Sequence, residues 1–363
     1  LIAAVARRIR PDERLTGYTI RTASDQSYDG FANDLPYARR VAAYLGADLV
    51  EVAAEVDIVR DFDRIVYSLD EPLADPAPIN VLNICRQARQ NGHTVLLGGS
   101  GGDDLFSGYR RHQALAIEPI LDKIPRSVGL LLQRTLSVAP SQHPLIRRLR
   151  KLTAGLGHSP TERIADYFAW LPLETNRQLF HPAIQQLLRD YQPRQQLLTA
   201  LDRIPDEPDL LNQMLFWELN YFLPDHNLNY TDKMSMAVGV EARVPFLDKE
   251  LVQFSARLPP ALKMRGTTTK YLLRKVAERY LPHDVIYRPK TGFGTPLRDW
   301  LRKGQLAGLV TSYLSEESLR RRGVFDPLAV QRLVRDNEVG KIDASYTIWS
   351  LMAIESWFRQ FVD

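Results

Sequence analysis

The stretch Thr94-Val95-Leu96-Leu97-Gly98-Gly99-Ser100-Gly101-Gly102-Asp103-Asp104-Leu105-Phe106-Ser107-Gly108-Tyr109 decides how this chain is read. It opens as a short continuous apolar run after the Asn91-Gly92 turn signal, the pattern of a parallel strand buried on both faces. The run leads into four glycines within five positions and then two adjacent carboxylates. Glycines there let main-chain N–H groups approach an anion closely and form a concavity that holds it. In open α/β sheets ligands gather at the carboxyl ends of strands, where this turn sits. Paired carboxylates beside a phosphate site usually serve Mg2+, a hard cation wanting oxygen ligands. The competing reading is a flexible turn with a solvated acidic tip.

Upstream, strand and helix patterns alternate. Thr16 to Ile20 reads as a strand, Tyr37 to Leu45 as a helix closed by Gly46, and Leu49 to Val52 as a second strand. Helices are expected over Val56–Leu69 and about Ile79–Arg89. Such alternation predicts an α/β fold, a parallel sheet with helices on both faces. From Tyr109 the character changes. Residues 111 to about 222 carry Leu, Gln and Arg at helical spacing, punctuated by prolines, and read as a helical insertion. Leu251–Arg257, Lys270–Tyr280 and Ala344–Phe361 are further expected helices. The organisation expected is therefore a 1–110 α/β core, a 111–222 helical insertion and a 223–363 remainder with loops and C-terminal helices.

Composition excludes several classes. With 363 residues the chain can bury a large core, and 45% hydrophobic with 25% charged residues is ordinary for a globular protein. A net charge of +4 over this length is too weak to imply nucleic acid. One cysteine, Cys85, excludes an internal disulfide framework and a Cys-rich metal site. No apolar run approaches the roughly 20 residues of a membrane helix, and with no secretory signal the expected location is cytoplasmic. The seven histidines are scattered without metal-ligand spacing. The chain begins without Met in an apolar helix already under way (Leu1-Ile2-Ala3-Ala4-Val5-Ala6), which reads as a fragment.

Ser100-Gly101-Gly102-Asp103-Asp104 superficially fits Ser-Gly-Gly-x-Asp-Ser, a pyrophosphate-binding loop, but Leu105 stands where the final Ser is required. Gly98 to Tyr109 instead resembles the second nucleotide-site motif of the asparagine synthetase family, Ser-Gly-(Glu/Asp)-Gly-x-Asp-Glu-(Leu/Val)-Phe-x-Gly-Tyr. Three further segments agree, in the family's order. Asp70-Glu71-Pro72-Leu73-Ala74-Asp75-Pro76 resembles its Asp-Glu-Pro-x-x-Asp segment. Asp232-Lys233-Met234-Ser235-Met236-Ala237 with Glu241-Ala242-Arg243-Val244-Pro245-Phe246-Leu247-Asp248 is similar to its signature. Thr269-Lys270-Tyr271-Leu272-Leu273-Arg274 and Tyr287-Arg288-Pro289-Lys290-Thr291-Gly292-Phe293-Gly294 resemble its lysine helix and basic loop. The likeness spans nearly the whole chain and implies a Rossmann-like fold of the adenine nucleotide alpha-hydrolase type. It also implies that the first strand, the Ser-Gly-Gly-x-Asp-Ser loop and a glutaminase domain stand upstream of Leu1.

The implied chemistry is ATP-dependent adenylation of a carboxylate, release of pyrophosphate, and displacement of AMP by glutamine-derived ammonia. The reacting groups are anionic, so positioning and positive charge must carry catalysis. By resemblance Lys270 is the catalytic cation, against the bland reading of a solvated helix lysine. Asp103 is the Mg2+–pyrophosphate residue, with Asp104 either supporting it or capping a helix. Gly98 and Gly99 match positions at adenine and ribose, and Ile20 an apolar residue lining the adenine pocket or simply the core. Arg288 and Lys290 clamp pyrophosphate or form a solvated basic loop, and Asp75 faces substrate or ammonia. Glu241 and Arg243 are expected as a structural ion pair bracing the site.

Ser100 is a departure: the family usually has an acidic or amide residue there, and a hydroxyl is a poor base near neutral pH. The acceptor implied by the family is aspartate. A sugar acid, or a peptide or β-amino-acid carboxylate as in lasso-peptide and β-lactam synthetases, is the alternative, and a non-catalytic scaffold on the same fold is a second. ATP and Mg2+ are the implied cofactors. Partners implied are ammonia from an N-terminal or separate glutaminase, and a second copy in a homodimer. The chain alone is expected to turn ATP over weakly or not at all.

Overall fold

The protein is described by a computed structural model covering residues 1–21, 34–53, 58–138, 149, 153, 155–169, 173–288, 295–302 and 304–363. The first third runs α1 (Ile2–Ile9), β1 (Thr16–Arg21), α2 (Leu35–Leu45), β2 (Asp48–Ala53), α3 (Ile58–Leu69), α4 (Pro78–Gln90), β3 (Val95–Leu97) and α5 (Gly102–Phe106). Further along lie α6 (Asn229–Met236), the short strand β4 (Glu241–Arg243), α7 (Tyr271–Ala277) and the C-terminal α8 (Ser345–Phe361). Helices predominate, and the sheets are small and parallel. β1 pairs with β2 from Thr16↔Asp48 to Arg21↔Ala53, and β3 pairs with β4 from Val95↔Glu241 to Leu97↔Arg243.

Two compact units share the chain. Unit 1 comprises 1–57, 77–113 and 215–295, and unit 2 comprises 58–76, 114–214 and 296–363. In unit 1, α2 and α4 pack on β1 and β2. Local chemistry sets their ends. Each helix has a proline in its first turn, where a missing N–H costs nothing. Gly46, at φ +58°, closes α2 in the left-handed conformation. In unit 2, α3 buries Ile58, Phe62, Ile65, Val66 and Leu69, one stripe at helical spacing. Phe62 meets the rings of Tyr313 and Trp349 edge-on at 5.5 and 5.1 Å. Burying such side chains contributes about 2–3 kcal/mol each.

One expectation fails. β3 is not a strand buried on both faces: Val95 is 40% and Leu97 55% exposed. Among the described residues β3 pairs with a single strand, β4, and the face carrying Val95 and Leu97 is left uncovered. A run of apolar residues reports what a strand is able to bury, and partners decide what it does bury.

Candidate active site

Two of the motif segments meet because one supplies a strand for the other. The Glu241–Asp248 segment provides β4, which pairs with β3, and then the tight turn Pro245–Leu247, which packs beneath the glycines. A β-carbon at Gly101 would overlap the Leu247 side chain, and one at Gly102 would press on the Phe246 ring at 3.2 Å. Gly101 also sits at φ +89°, where an L side chain is strained. Close approach of Phe246 and Leu247 thus explains these two glycines without reference to a ligand.

The N–H groups tell the rest. Gly98 donates to Arg243 O at 2.7 Å, so its N–H is consumed by the strand pair. Among the described residues the N–H groups of Gly99, Ser100 and Gly101 have no acceptor. A β-carbon at Gly99 would meet nothing within 4 Å, so the turn is open on that side. Successive unsatisfied N–H donors at a strand's carboxyl end are chemically suited to an anion.

Asp103 and Lys270 face each other beside it. Lys270 Nζ lies 3.1 Å from Asp103 Oδ1, with both side chains about one-quarter exposed. The lysine is placed by its own main chain. At φ +54°, just before α7, its N–H is shared between Phe106 O at 3.1 Å and Ser107 O at 3.3 Å. Left-handed backbone at a non-glycine residue costs energy and persists only where surroundings enforce it. Gly108 makes room for the pair, because a β-carbon there would overlap Asp103 Oδ1 and Lys270 Cε.

Asp104 turns the other way. It is 1% exposed and accepts a hydrogen bond from the Tyr109 hydroxyl at 3.1 Å. Burial, with the negative charges of Glu218 and Asp103, pushes its carboxyl up to about 7, against the stabilising hydrogen bond from Tyr109. It neither caps a helix, α5 being preceded by Gly101, nor faces solvent. Of the two carboxylates, Asp103 is the one a cation can approach. Mg2+ commonly takes one or two protein carboxylates and completes its shell with phosphate oxygens and water, and a single accessible carboxylate beside an anion cradle fits that donor set. Among the described residues no cluster of three His, Cys, Asp or Glu offers an all-protein metal site.

The other anticipated residues divide. Ile20 is half-buried at the end of β1. Glu241 and Arg243 do form an ion pair, at 2.8 Å, but both are more than half exposed, and water and salt screen such a pair. It is the carbonyl of Arg243, accepting from Gly98, that holds the turn. Arg288 pairs with Asp34, which precedes α2, and lies 5.3 Å over the Tyr37 ring, while burial lowers its pKa. In this structure its guanidinium is therefore engaged within the protein. Lys290 lies outside the described residues. Asp75 belongs to unit 2 and is not one of the groups assembled in unit 1.

Behind the loop, around the motif's final Tyr109, stands a cluster that motif reading passed over: Arg111, His112, Glu218, Phe222 and Asn227. Arg111 makes a two-pronged ion pair with Glu218, Nε to Oε1 and Nη2 to Oε2, both at 2.6 Å. Pairing with Arg111 and a hydrogen bond from His112 hold the Glu218 carboxyl below its usual range despite full burial. Arg111 and His112 follow the glycine turn directly in sequence, but Glu218 lies over a hundred residues away, and only a fold connects them.

A glycine turn with unsatisfied N–H groups at the end of a parallel strand, flanked by an accessible carboxylate and a lysine, suits an anionic ligand on an α/β fold, and the asparagine synthase domain matched below is of the Rossmann-like ATP pyrophosphatase class. Comparison with known proteins gives the family. The asparagine synthase family model matches residues 1–359. A Mycobacterium bovis protein provisionally named a glutamine-hydrolysing asparagine synthetase is 31% identical over the whole chain, which covers 53% of that protein. Asparagine synthetase [glutamine-hydrolyzing] 1 of Bacillus subtilis is 30% identical over 98% of the chain and 53% of its own length. More distantly, Amidase chyE of Penicillium rubens is 24% identical over 84% of the chain and 48% of its own length. The chain belongs to the asparagine synthase family and spans about half the length of the curated relatives it matches.

Proposed function

We propose that this chain is the synthetase part of a carbon–nitrogen ligase. It activates a carboxylate with ATP as an acyl-adenylate, releases pyrophosphate, and lets glutamine-derived ammonia displace AMP to give an amide. One observation carries this reading: three unsatisfied N–H groups, Gly99 to Gly101, lie beside the Asp103–Lys270 pair at the carboxyl end of β3. The N–H groups are suited to anionic oxygens of the nucleotide. Lys270, held at the loop's end by its backbone, supplies positive charge where pyrophosphate departs. Asp103 orients that ammonium and offers the carboxylate through which Mg2+ would be held, the ion's own contribution being to neutralise phosphate charge. Gly98 shapes the turn rather than donating to ligand.

Aspartate is the leading acceptor, in keeping with the names of the relatives. Ser100 favours a second reading, in which the acceptor is a sugar acid or a peptide or β-amino-acid carboxylate. Its hydroxyl stands at the turn where the resemblance implies a carboxylate or amide. The test is pyrophosphate release by the full-length protein with ATP, Mg2+ and ammonium, screened over aspartate, uronic acids and peptide carboxylates. Acceptor-dependent release that falls by about 10²–10³ in Lys270→Met supports the reading. ATP consumption that ignores both acceptor and Lys270 contradicts it.

A further inference from the structure

Glu218, Arg111 and His112 form a buried cluster that packs on Tyr109 at the exit of the glycine turn. Glu218 opens a π-helix, Glu218–Leu228, that accommodates Pro224 in its interior. Wide-turned helices of this kind are rare and gather at functional sites. Its side chains Glu218, Phe222 and Asn227 reach Arg111, His112 and Tyr109 at the loop's exit. Glu218 is fully buried, and so is His112, whose Nε2 lies 3.1 Å from Glu218 Oε1. The Arg111 guanidinium lies over the rings of both Tyr109 and Phe222, 4.3 Å from each centroid, and the two rings meet edge-on at 5.7 Å.

From there a relay runs to the site. Tyr109, with Arg111 over its ring, accepts from Asn227 Nδ2 at 2.9 Å and donates to Asp104 Oδ1 at 3.1 Å. Asp104 and Asp103 are consecutive residues in the first turn of α5, so anchoring Asp104 holds the backbone turn from which Asp103 projects. A buried Arg–carboxylate pair is poor grounds for claiming stability, because apolar residues of similar volume often do as well. Fixed geometry is what the pair supplies in their place. The two-pronged arrangement is one that Lys cannot reproduce, since an ammonium lacks the planar fork that makes two parallel bonds.

We propose that Arg111 and Glu218 are positioning residues of the nucleotide loop: through Tyr109 and Asp104 they hold Asp103 and Lys270 at the spacing that receives the magnesium–pyrophosphate part of the nucleotide. This rests on the adenylating function proposed above. The test uses the full-length protein and the variants Arg111→Lys, Glu218→Gln and Tyr109→Phe. The last removes a single hydroxyl and keeps the packing, so it remains informative where a charge variant fails to fold. Calorimetric affinity for Mg2+-pyrophosphate is measured below each variant's Tm, alongside kcat and the KM for acceptor.

Weakened pyrophosphate binding of about 10–100-fold is expected, with kcat reduced and acceptor KM unchanged. A purely structural pair would lower Tm while leaving affinity and kcat at wild-type values, and that result overturns the positioning role. A wild-type protein that neither binds Mg2+-pyrophosphate nor releases it from ATP sinks the adenylating function, and the positioning role with it. Wild-type binding with unaffected variants sinks the positioning role alone.

Discussion

Asp104 offers a prediction whose size comes from the structure. Its carboxyl stands at about 7 in the folded protein against an ordinary value of 3.8, chiefly because it is buried, with Glu218 and Asp103 adding to the effect. Each pKa unit between folded and unfolded states is worth about 1.4 kcal/mol, so this group changes stability by about 4 kcal/mol across its full range. The sign follows from proton counting. Between about pH 4 and 7 the folded protein keeps a proton that the unfolded chain has released, so stability falls as pH rises through this window. Below pH 4 both states are protonated and the contribution is fully present; above about pH 7 both are ionised and it has been lost. Roughly 2–3 kcal/mol of the change falls between pH 5 and pH 8. Asp104→Asn stays neutral throughout, and its amide oxygen still accepts from Tyr109. Urea unfolding of both proteins in metal-free buffer, at pH 5 and pH 8, isolates the effect as a difference of differences. The variant should gain about 2–3 kcal/mol on wild type between the two values. Parallel pH profiles would refute a raised carboxyl at this position.

Other consequences are simpler to check. Gly108→Ala places a β-carbon against Asp103 and Lys270 and should cost about 1–3 kcal/mol together with most pyrophosphate release, read by thermal unfolding and a pyrophosphate assay. Gly101→Ala combines a positive φ with overlap on Leu247 and should destabilise by about 1–3 kcal/mol, even in protein never exposed to nucleotide. Glu241→Gln breaks an exposed ion pair and should leave the urea midpoint close to that of wild type, any difference shrinking further in 1 M salt. Cys85 is buried, and burial pushes its thiol up to about 11, so native protein at pH 8 should resist thiol reagents that label it readily in denaturant.

Much of the fold was legible because local chemistry writes it. The stripe Ile58-Phe62-Ile65-Val66-Leu69 gives α3, Gly46 ends α2, and Asn91-Gly92 ends α4 where the turn signal stands. The apolar run before the glycines also marks β3, though not its exposure. Less legible was whatever depends on distant partners. β4 is three residues long and pairs with a strand nearly 150 positions earlier, and Glu241-Ala242-Arg243 has no strand pattern of its own. Pro224 argues against a helix interior, yet the π-helix absorbs it. Lys270 reads as the first residue of a helix but sits just outside it with a positive φ, a placement enforced by the carbonyls of Phe106 and Ser107. Within the site, glycine spacing pointed to the turn but not to which glycines serve packing. Nothing local joined Arg111 to Glu218.

The central claim is that the Gly99–Gly101 cradle and Lys270 handle an ATP cleaved between its α- and β-phosphates. Phosphorus NMR of the products formed by the full-length protein, with ATP, Mg2+, ammonium and the accepted carboxylate, reads that cleavage directly. AMP and pyrophosphate in equal amounts, both lost in Lys270→Met, are the predicted result. ADP and orthophosphate, or products unchanged by the loss of Lys270, would contradict the account.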